Sequence, residues 1–136
     1  MAEFFWTDDL CTGSPLIDED HRRLIAYVNA LFEAMETAGP SDAMREAMSD
    51  LLQYTREHFG REEAEMERVR YVASLAHKSE HTNLMRQIVA LKEMLESGGK
   101  INVPAVEDFL SEWLREHIVR ADSKLAAALE RGARAV

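Results

Sequence analysis

Seven side chains of this sequence are of types that bind transition metals, and they recur at helical spacings. They are five histidines and two carboxylates: His21, His58, Glu62, His77, His81, His117 and Asp122. His58 and Glu62 are four residues apart, as are His77 and His81, so each pair projects from one face of a helix. Neutral imidazoles and carboxylates are common ligands of divalent metals. The chemistry that these residues could perform is therefore metal binding.

The joint pattern carries more weight than any single residue. A lone histidine in a core is more often hydrogen-bonded to a carbonyl group than bound to metal, and an H-x-x-x-H pair occurs by chance in many helices. Here all five histidines of the chain fall on apolar faces of predicted helices. Burying such groups without partners costs about 1–3 kcal/mol or more each. A shared metal centre would supply the missing partners.

The number of donors predicts two metals. One tetrahedral zinc takes four ligands, fewer than the seven that the sequence offers. In two six-coordinate sites, five imidazoles and two bridging carboxylates would fill nine of twelve positions, and a bridging hydroxide or oxide would fill two more. One position stays open for a small molecule. Because an imidazole-rich shell favours ferrous iron more than a carboxylate-rich one, dioxygen is a reasonable ligand.

Four predicted helices carry these residues. Apolar positions recur at helical spacing between breaks at Pro15, Gly39-Pro40 and Gly98-Gly99. Asp18 and Ser41 are expected to cap the first and second helices. The predicted helices cover about residues 18–38, 41–69, 73–97 and 104–121.

An N-terminal arm and a C-terminal tail flank these helices. The arm, residues 1–16, contains Phe4, Phe5 and Trp6, which are expected to pack over the helices. The tail, residues 123–136, is rich in alanine and is predicted to form a short helix. Because short connections make sequential helices antiparallel, we predict an all-α fold, an up-down-up-down antiparallel four-helix bundle in a single domain of 136 residues.

The predicted bundle brings the seven residues to one of its ends. His21 stands at the start of the first helix, and the others fall late in the second, early in the third and late in the fourth. Asp122 is the exception, because five residues along an ideal helix turn by about 500° and leave it about 140° from His117. We predict that the helix widens into a π-type turn, or ends, between Arg120 and Asp122, which turns the carboxylate inward.

Composition excludes several classes of partner. The chain has 25 acidic and 16 basic side chains and a formal net charge of −9, which argues against binding nucleic acid. Its single cysteine, Cys11, cannot form an internal disulfide. No signal segment and no long uncharged apolar run is found, so we expect a cytoplasmic protein without membrane insertion.

Motifs around the seven residues are similar to one known family. They are Trp6-Thr7-Asp8-Asp9-Leu10 with Ile17-Asp18-Glu19-Asp20-His21, His58-Phe59 with Glu62-Glu63, His77-Lys78-Ser79-Glu80-His81, and Trp113-Leu114 with His117-Ile118 and Asp122. Together they resemble the hemerythrin family, specifically its single-domain bacterial type, along nearly the whole chain. The resemblance implies reversible dioxygen binding at two non-haem iron ions, bridged by a hydroxide or oxide and two carboxylates.

The same resemblance assigns each ligand. It implies one iron on His77, His81 and His117, the other on His21 and His58, and bridges from Glu62 and Asp122. The iron with two histidines would carry the open position. The imidazole N–H groups then need acceptors that the sequence cannot assign, and Glu63 is expected to point toward solvent or the rim of the bundle.

Reversible binding also needs a dry pocket without a proton donor. Four residues lie within a turn of His21 or His117 and are expected to form its wall: Ile25, Trp113, Leu114 and Ile118. Each of them is equally suited to an ordinary place in the core.

Several functions remain open at this point. An oxygen carrier or store that delivers to an acceptor protein is the first interpretation, with no catalytic activity. Oxygen or redox sensing through a signalling partner protein is the second. A di-iron oxidase or peroxidase is less favoured, because carboxylate-rich bundles use Glu-x-x-His pairs whereas this chain has His-x-x-x-Glu and His-x-x-x-His. A purely structural bundle with satisfied histidines is the last alternative.

Overall fold

The computed structural model describes residues 3–38, 41–98 and 100–134, and places most of them in helices. A 3-10 turn, Asp8–Leu10, comes first. It is followed by α1 (Pro15–Ala38), α2 (Asp42–Val69), α3 (Ser74–Glu96), α4 (Val103–Glu116), a π-helical segment (His117–Asp122) and α5 (Ser123–Arg134). The helices form the predicted up-down-up-down bundle, and the described residues contain no strand. The predicted breaks at 39–40 and 99, and the chain ends at 1–2 and 135–136, lie outside the described residues.

The first helix begins three residues earlier than predicted, at Pro15. Ser14 caps it, because its Oγ accepts a hydrogen bond from the Ile17 amide at 3.3 Å, and proline suits the first helical position. Asp18 is therefore not the cap. Its carboxylate instead accepts hydrogen bonds from the amide and hydroxyl of Thr12, at 2.9 and 2.8 Å, and so fixes the loop that precedes α1.

The second and fourth helices begin at side-chain caps. Ser41 caps α2 as predicted, since its side chain accepts from the Met44 amide at 3.2 Å. Asn102 caps α4 by accepting from the Ala105 amide at 3.0 Å. Such caps satisfy backbone donors that the first turn of a helix leaves without partners. The short connections between the helices follow from these defined ends.

The N-terminal arm packs on the bundle through two of its three aromatic residues. Phe4 is buried, and its backbone exchanges two hydrogen bonds with the side chain of Asn29, at 2.7 and 2.9 Å. The Trp6 ring packs partly against the core and lies 4.3 Å from the guanidinium of Arg22. Phe5 does not pack as expected, because 64% of it is exposed.

The C-terminal tail forms the predicted short helix, α5, which continues directly from the fourth helix. Residues 103–134 form one uninterrupted helical run, in which α4, the π-helical segment and α5 follow one another without a break. Leu125 and Ala126 of α5 are buried with Ile17 and Met66 in an apolar cluster apart from the main core. The tail therefore closes the end of the bundle at which the seven predicted ligands lie. Among the described residues, none of the helices combines the length and apolar character needed to cross a bilayer.

Candidate metal centre

The fold brings all seven predicted ligands together in its interior. None of them is more than 4% exposed. They form two overlapping groups, and within each group the potential ligand atoms lie within 4.8 Å of one another. One group comprises Glu62, His77, His81, His117 and Asp122, and the other comprises His21, His58, Glu62 and Asp122.

Glu62 divides its two oxygens between the histidine groups. Its Oε1 lies 3.1 Å from Nε2 of His81 and 3.3 Å from Nε2 of His77. Its Oε2 lies 2.9 Å from Nε2 of His58 and 3.5 Å from Nε2 of His21. A carboxylate in this position presents one oxygen to each of two groups of histidines that could hold a metal ion.

Asp122 divides its oxygens in the same way. Its Oδ1 lies 2.9 Å from Nε2 of His77 and 3.1 Å from Nε2 of His117. Its Oδ2 lies 2.8 Å from Nε2 of His21. Both carboxylates therefore stand between a group of three histidines and a group of two.

The π-helical segment explains how Asp122 reaches this position. Residues His117–Asp122 form a π-helix, which confirms the predicted widening of the helix. At the end of the segment, the amide of Ser123 donates to the carbonyl of Ile118, five residues earlier. A helix with i→i+5 bonds turns less per residue than an α-helix. His117 and Asp122 consequently face the same side of the run.

The inward-facing atoms lack the partners that buried polar groups normally have. Among the described residues, no hydrogen-bond partner is found for Nε2 of His21, His77, His81 or His117, or for either oxygen of Glu62 and Asp122. These atoms approach one another closely, yet not in hydrogen-bond geometry. Adjacent ligands about 2.1 Å from one six-coordinate metal lie roughly 3 Å apart, close to the 2.8–3.5 Å found here. The residues therefore fit a pair of metal ions.

The electrostatics of the cluster also favour a cation. Burial opposes ionisation of Glu62 and Asp122, yet the facing imidazoles hold the pKa of each carboxyl below its usual value. Burial likewise opposes charging of His58 and His77, but the carboxylates around them raise the pKa of each to about 9. In the metal-free chain, protons on His58 and His77 offset the negative charge of the carboxylates, and divalent metals would displace those protons.

Asp20 supplies an acceptor that the sequence could not assign. Its Oδ2 lies 3.2 Å from Nδ1 of His58, on the far side of that ring from Glu62. Arg61 donates two hydrogen bonds to the same carboxylate, each at 2.9 Å, and the hydroxyl of Tyr54 donates a third at 2.9 Å. Burial raises the pKa of Asp20, but the hydrogen bonds from His58, Arg61 and Tyr54 lower it by more, so the net shift of this pKa is downward. The fixed carboxylate orients His58 so that Nε2 faces the centre.

We expect Asp20→Asn to weaken metal binding about 10- to 100-fold, because the amide accepts a weaker hydrogen bond from the imidazole. Glu19→Gln is the matched control, since Glu19 is the preceding residue on α1 and its side chain is 58% exposed. Affinity is measured by competition with a chelator of known strength. Equal affinities for the two variants would show that Asp20 does not orient His58.

Glu63 is partly exposed at the rim of the bundle, one of the two positions expected of it, but it also has a partner that the sequence did not predict. It does not simply point toward solvent, because its Oε2 lies 2.9 Å from Nδ1 of His81 and its side chain is only 34% exposed. Glu80 stands 3.5 Å from Nδ1 of His117, a longer contact. Two histidines of the three-histidine group therefore also have carboxylates behind their rings. A sequence signal existed in the repeated acidic residues beside the ligands, but it did not say which ring each would meet.

Aromatic rings cover the three-histidine group. Trp113 stacks on His117, with ring centroids 4.5 Å apart. Phe59 stacks on His81 at 3.7 Å, a contact that the sequence analysis missed although Phe59 directly follows His58. Such stacking restricts the rotation of both imidazoles. The remaining predicted pocket residues, Ile25, Leu114 and Ile118, are buried in the main apolar core.

Comparisons with known proteins agree with this geometry. The model of one protein family, described as the hemerythrin HHE cation binding domain, matches residues 12–129. A bacteriohemerythrin of Pseudomonas paraeruginosa is 33% identical over 123 residues, 90% of this chain and 79% of that protein. A bacteriohemerythrin of Stenotrophomonas maltophilia is 34% identical over 127 residues, covering 93% of this chain and 81% of the relative. A crystal structure of wild-type hemerythrin superposes with a TM-score of 0.86 at 27% identity, covering 94% of this chain and 98% of that one.

Proposed function

This chain belongs to the hemerythrin family, and on that premise we propose that it binds dioxygen reversibly at a non-haem di-iron centre. The observation that supports the proposal best is the division of each carboxylate between a three-histidine and a two-histidine group. Two ions with the same coordination number, one bound by three histidines and the other by two, are left with different numbers of free coordination positions. A carrier or store needs one such open position.

We assign the ligands accordingly. His77, His81 and His117 would hold one iron, His21 and His58 the other, and Glu62 and Asp122 would bridge them together with a hydroxide or oxide. Ferrous ions bound in this way would supply the electrons that dioxygen takes up and returns. The side with two histidines has the smaller donor set, so its residues would border the open position.

The chain's own contribution to reversibility would be the exclusion of water and protons. Ile25, Leu114 and Ile118 are 7%, 4% and 0% exposed and carry no polar side-chain atom. Together with Trp113 they are proposed as the wall of the oxygen pocket. The three aliphatic side chains of this wall offer no proton that would release a reduced oxygen species. This supports a binding protein over an oxidase or peroxidase.

The test combines metal analysis with visible spectroscopy. We expect two irons per chain and an absorption band that appears when the reduced protein meets air and disappears on purging with inert gas. Irreversible conversion on the first exposure to air would contradict a carrier and favour redox sensing or oxidase chemistry. If the protein contained no iron after expression with adequate iron, the remaining interpretation would be a purely structural helical bundle.

We expect Leu114→Ala to shorten the lifetime of the oxygen-bound protein, because the cavity that it opens admits water toward the centre. Leu31→Ala is the matched control, since Leu31 is fully buried on α1 and lies ten residues, roughly 15 Å, beyond His21. Both truncations should cost about 2–5 kcal/mol of stability. Only the first should accelerate decay of the air-induced band, and equal decay would remove Leu114 from the pocket.

We place this activity in the cytoplasm, where the free, exposed Cys11 is compatible with reducing conditions. An oxygen-accepting protein would be the partner of a carrier. Sensing would instead require a signalling partner whose binding depends on the oxidation state of the centre. Titrating candidate partners against the reduced and oxidised protein distinguishes these roles.

A further inference from the structure

A cavity of about 290 Å³ opens at the end of the bundle that α5 closes. It lies between the loop and first turns of α1, the second half of α2, and α5. Glu62 lines it, although this residue is only 3% exposed and neither of its oxygens has a hydrogen-bond partner among the described residues. The cavity therefore runs from the surface to Glu62, the residue whose carboxylate lies between the two histidine groups.

The cavity lies on the side of the two-histidine group. It is lined by Ile17 and Asp20, which precede His21 by four residues and by one, and by Arg61, which follows His58 by three. None of the four proposed pocket-wall residues lines it. A charged species pays a large desolvation cost in crossing an apolar wall. Ions thus need a different path from dioxygen, and this cavity offers a polar one.

The charges around the cavity suit a cation. Its lining contains four carboxylates and two arginines: Asp20, Glu62, Glu65, Glu130, Arg61 and Arg68. Arg61 pairs with Asp20 at 2.9 Å and Arg68 pairs with Glu65 at 2.7 Å, and the lining as a whole contains two more carboxylates than arginines. Six water molecules displace roughly 180 Å³ of liquid, so a hydrated ion fits within the space of about 290 Å³.

Two other cavities that reach a ligand are less suited to a cation. The cavity at His77, about 170 Å³, has two carboxylates matched by two basic groups: Glu80, Glu116, Arg120 and Lys124. The groove at His81 has one carboxylate and two arginines: Glu63, Arg56 and Arg86. Of the three, only the cavity at Glu62 has an excess of negative charge. An acidic, low-dielectric cleft concentrates cations and raises their rate of entry.

We propose that the cavity at Glu62 is the entrance through which divalent iron is loaded. Glu65 and Glu130 attract the hydrated cation at the opening, and Glu62 accepts it at the inner end. This inference rests on the proposed function, because it assumes that the seven ligands bind metal. It adds a role for two side chains that belong to neither ligand group.

The test measures the rate of metal uptake by the metal-free protein, with Co²⁺ as the probe and its visible absorption as the signal. E65Q/E130Q removes two carboxylates from the entrance. E96Q/E116Q is the matched control, because it also removes two carboxylates and has the same net charge. Glu96 and Glu116 each pair with a basic residue four positions away. Glu116 lines the cavity at His77 instead of the cavity at Glu62. We expect uptake to be about tenfold slower in E65Q/E130Q at low ionic strength and the gap to close as salt is added.

Each outcome bears on the proposal. Slower uptake by E65Q/E130Q alone, with unchanged Co²⁺ content at equilibrium, supports it. Equal rates in both double variants, or slower uptake by the control alone, would overturn the entrance while leaving the metal centre intact. If wild-type protein takes up no Co²⁺ and no anaerobic Fe²⁺, the proposed function fails and the entrance fails with it.

Discussion

Glu62→Ala is expected to leave the protein without either metal ion. Glu62 is the residue whose two oxygens face four of the five histidines, so in the proposed ligand assignment its loss removes a ligand from both sites at once. Because metal binding and folding are coupled in such a centre, iron content and thermal stability should fall together. For a chain of this length we expect the midpoint of thermal unfolding to drop by about 10 °C or more relative to the iron-loaded wild type.

Two further variants separate the bridge from other effects of the substitution. Glu62→Gln keeps nearly the same volume but loses the charge, so it should also lose iron if bridging is what matters. Glu57→Ala removes an exposed carboxylate from the same helix and should change neither quantity. Iron is measured per chain after purification, and unfolding by circular dichroism. Undiminished iron in Glu62→Ala would refute the bridging assignment.

The stability of the protein is expected to depend on pH in opposite directions with and without metal. In the metal-free chain the pKa of His58 and of His77 is raised to about 9, from about 6.5 in the unfolded chain. A raised pKa contributes stability that is fully present below pH 6.5 and is lost as the pH rises through 9. A shift of this size at one buried histidine contributes on the order of 3 kcal/mol to the free energy of unfolding.

In the metal-loaded protein the imidazoles must be neutral to bind, so protons compete with the metal and stability should fall as the pH drops below about 6.5. The two curves of unfolding midpoint against pH should therefore cross. His58→Gln in the metal-free form tests the cause, because it should flatten the loss between pH 6.5 and 9. Parallel curves with and without metal would show that the histidines are not the ligands.

Much of this protein could be predicted from local sequence patterns. Apolar periodicity and the breaks at proline and glycine predict four helices, because those rules act within one or two turns. The same periodicity placed five histidines on inner faces, and the rotation per residue predicted an irregular helix before Asp122, which the π-helical segment confirms. Membership of the hemerythrin family was also predicted, and the comparisons confirm it. That the seven residues bind iron stays a prediction.

Contacts between distant residues could not be predicted in this way. Asp20 is the neighbour of His21 but meets His58, 38 residues away, and Glu63 meets His81, 18 residues away. Glu63 was expected at the solvent-facing rim because it lies beside an inward residue, yet its long side chain reaches across to α3. Spacing along one helix says which way a side chain leaves the backbone, and it says nothing of what the neighbouring helix places there.

The sequence by itself determined which donors are available, on which helices and at which end of the bundle, because these follow from residue identity and helical periodicity. The family resemblance implied that Glu62 and Asp122 lie between the two histidine groups, but only the tertiary structure shows which oxygen faces which histidine, which carboxylates stand behind the imidazoles, and where a cavity reaches Glu62. The physical reason is that these features depend on distances of a few ångströms between helices. Such distances are set by how the core packs, and no spacing within a single helix encodes them.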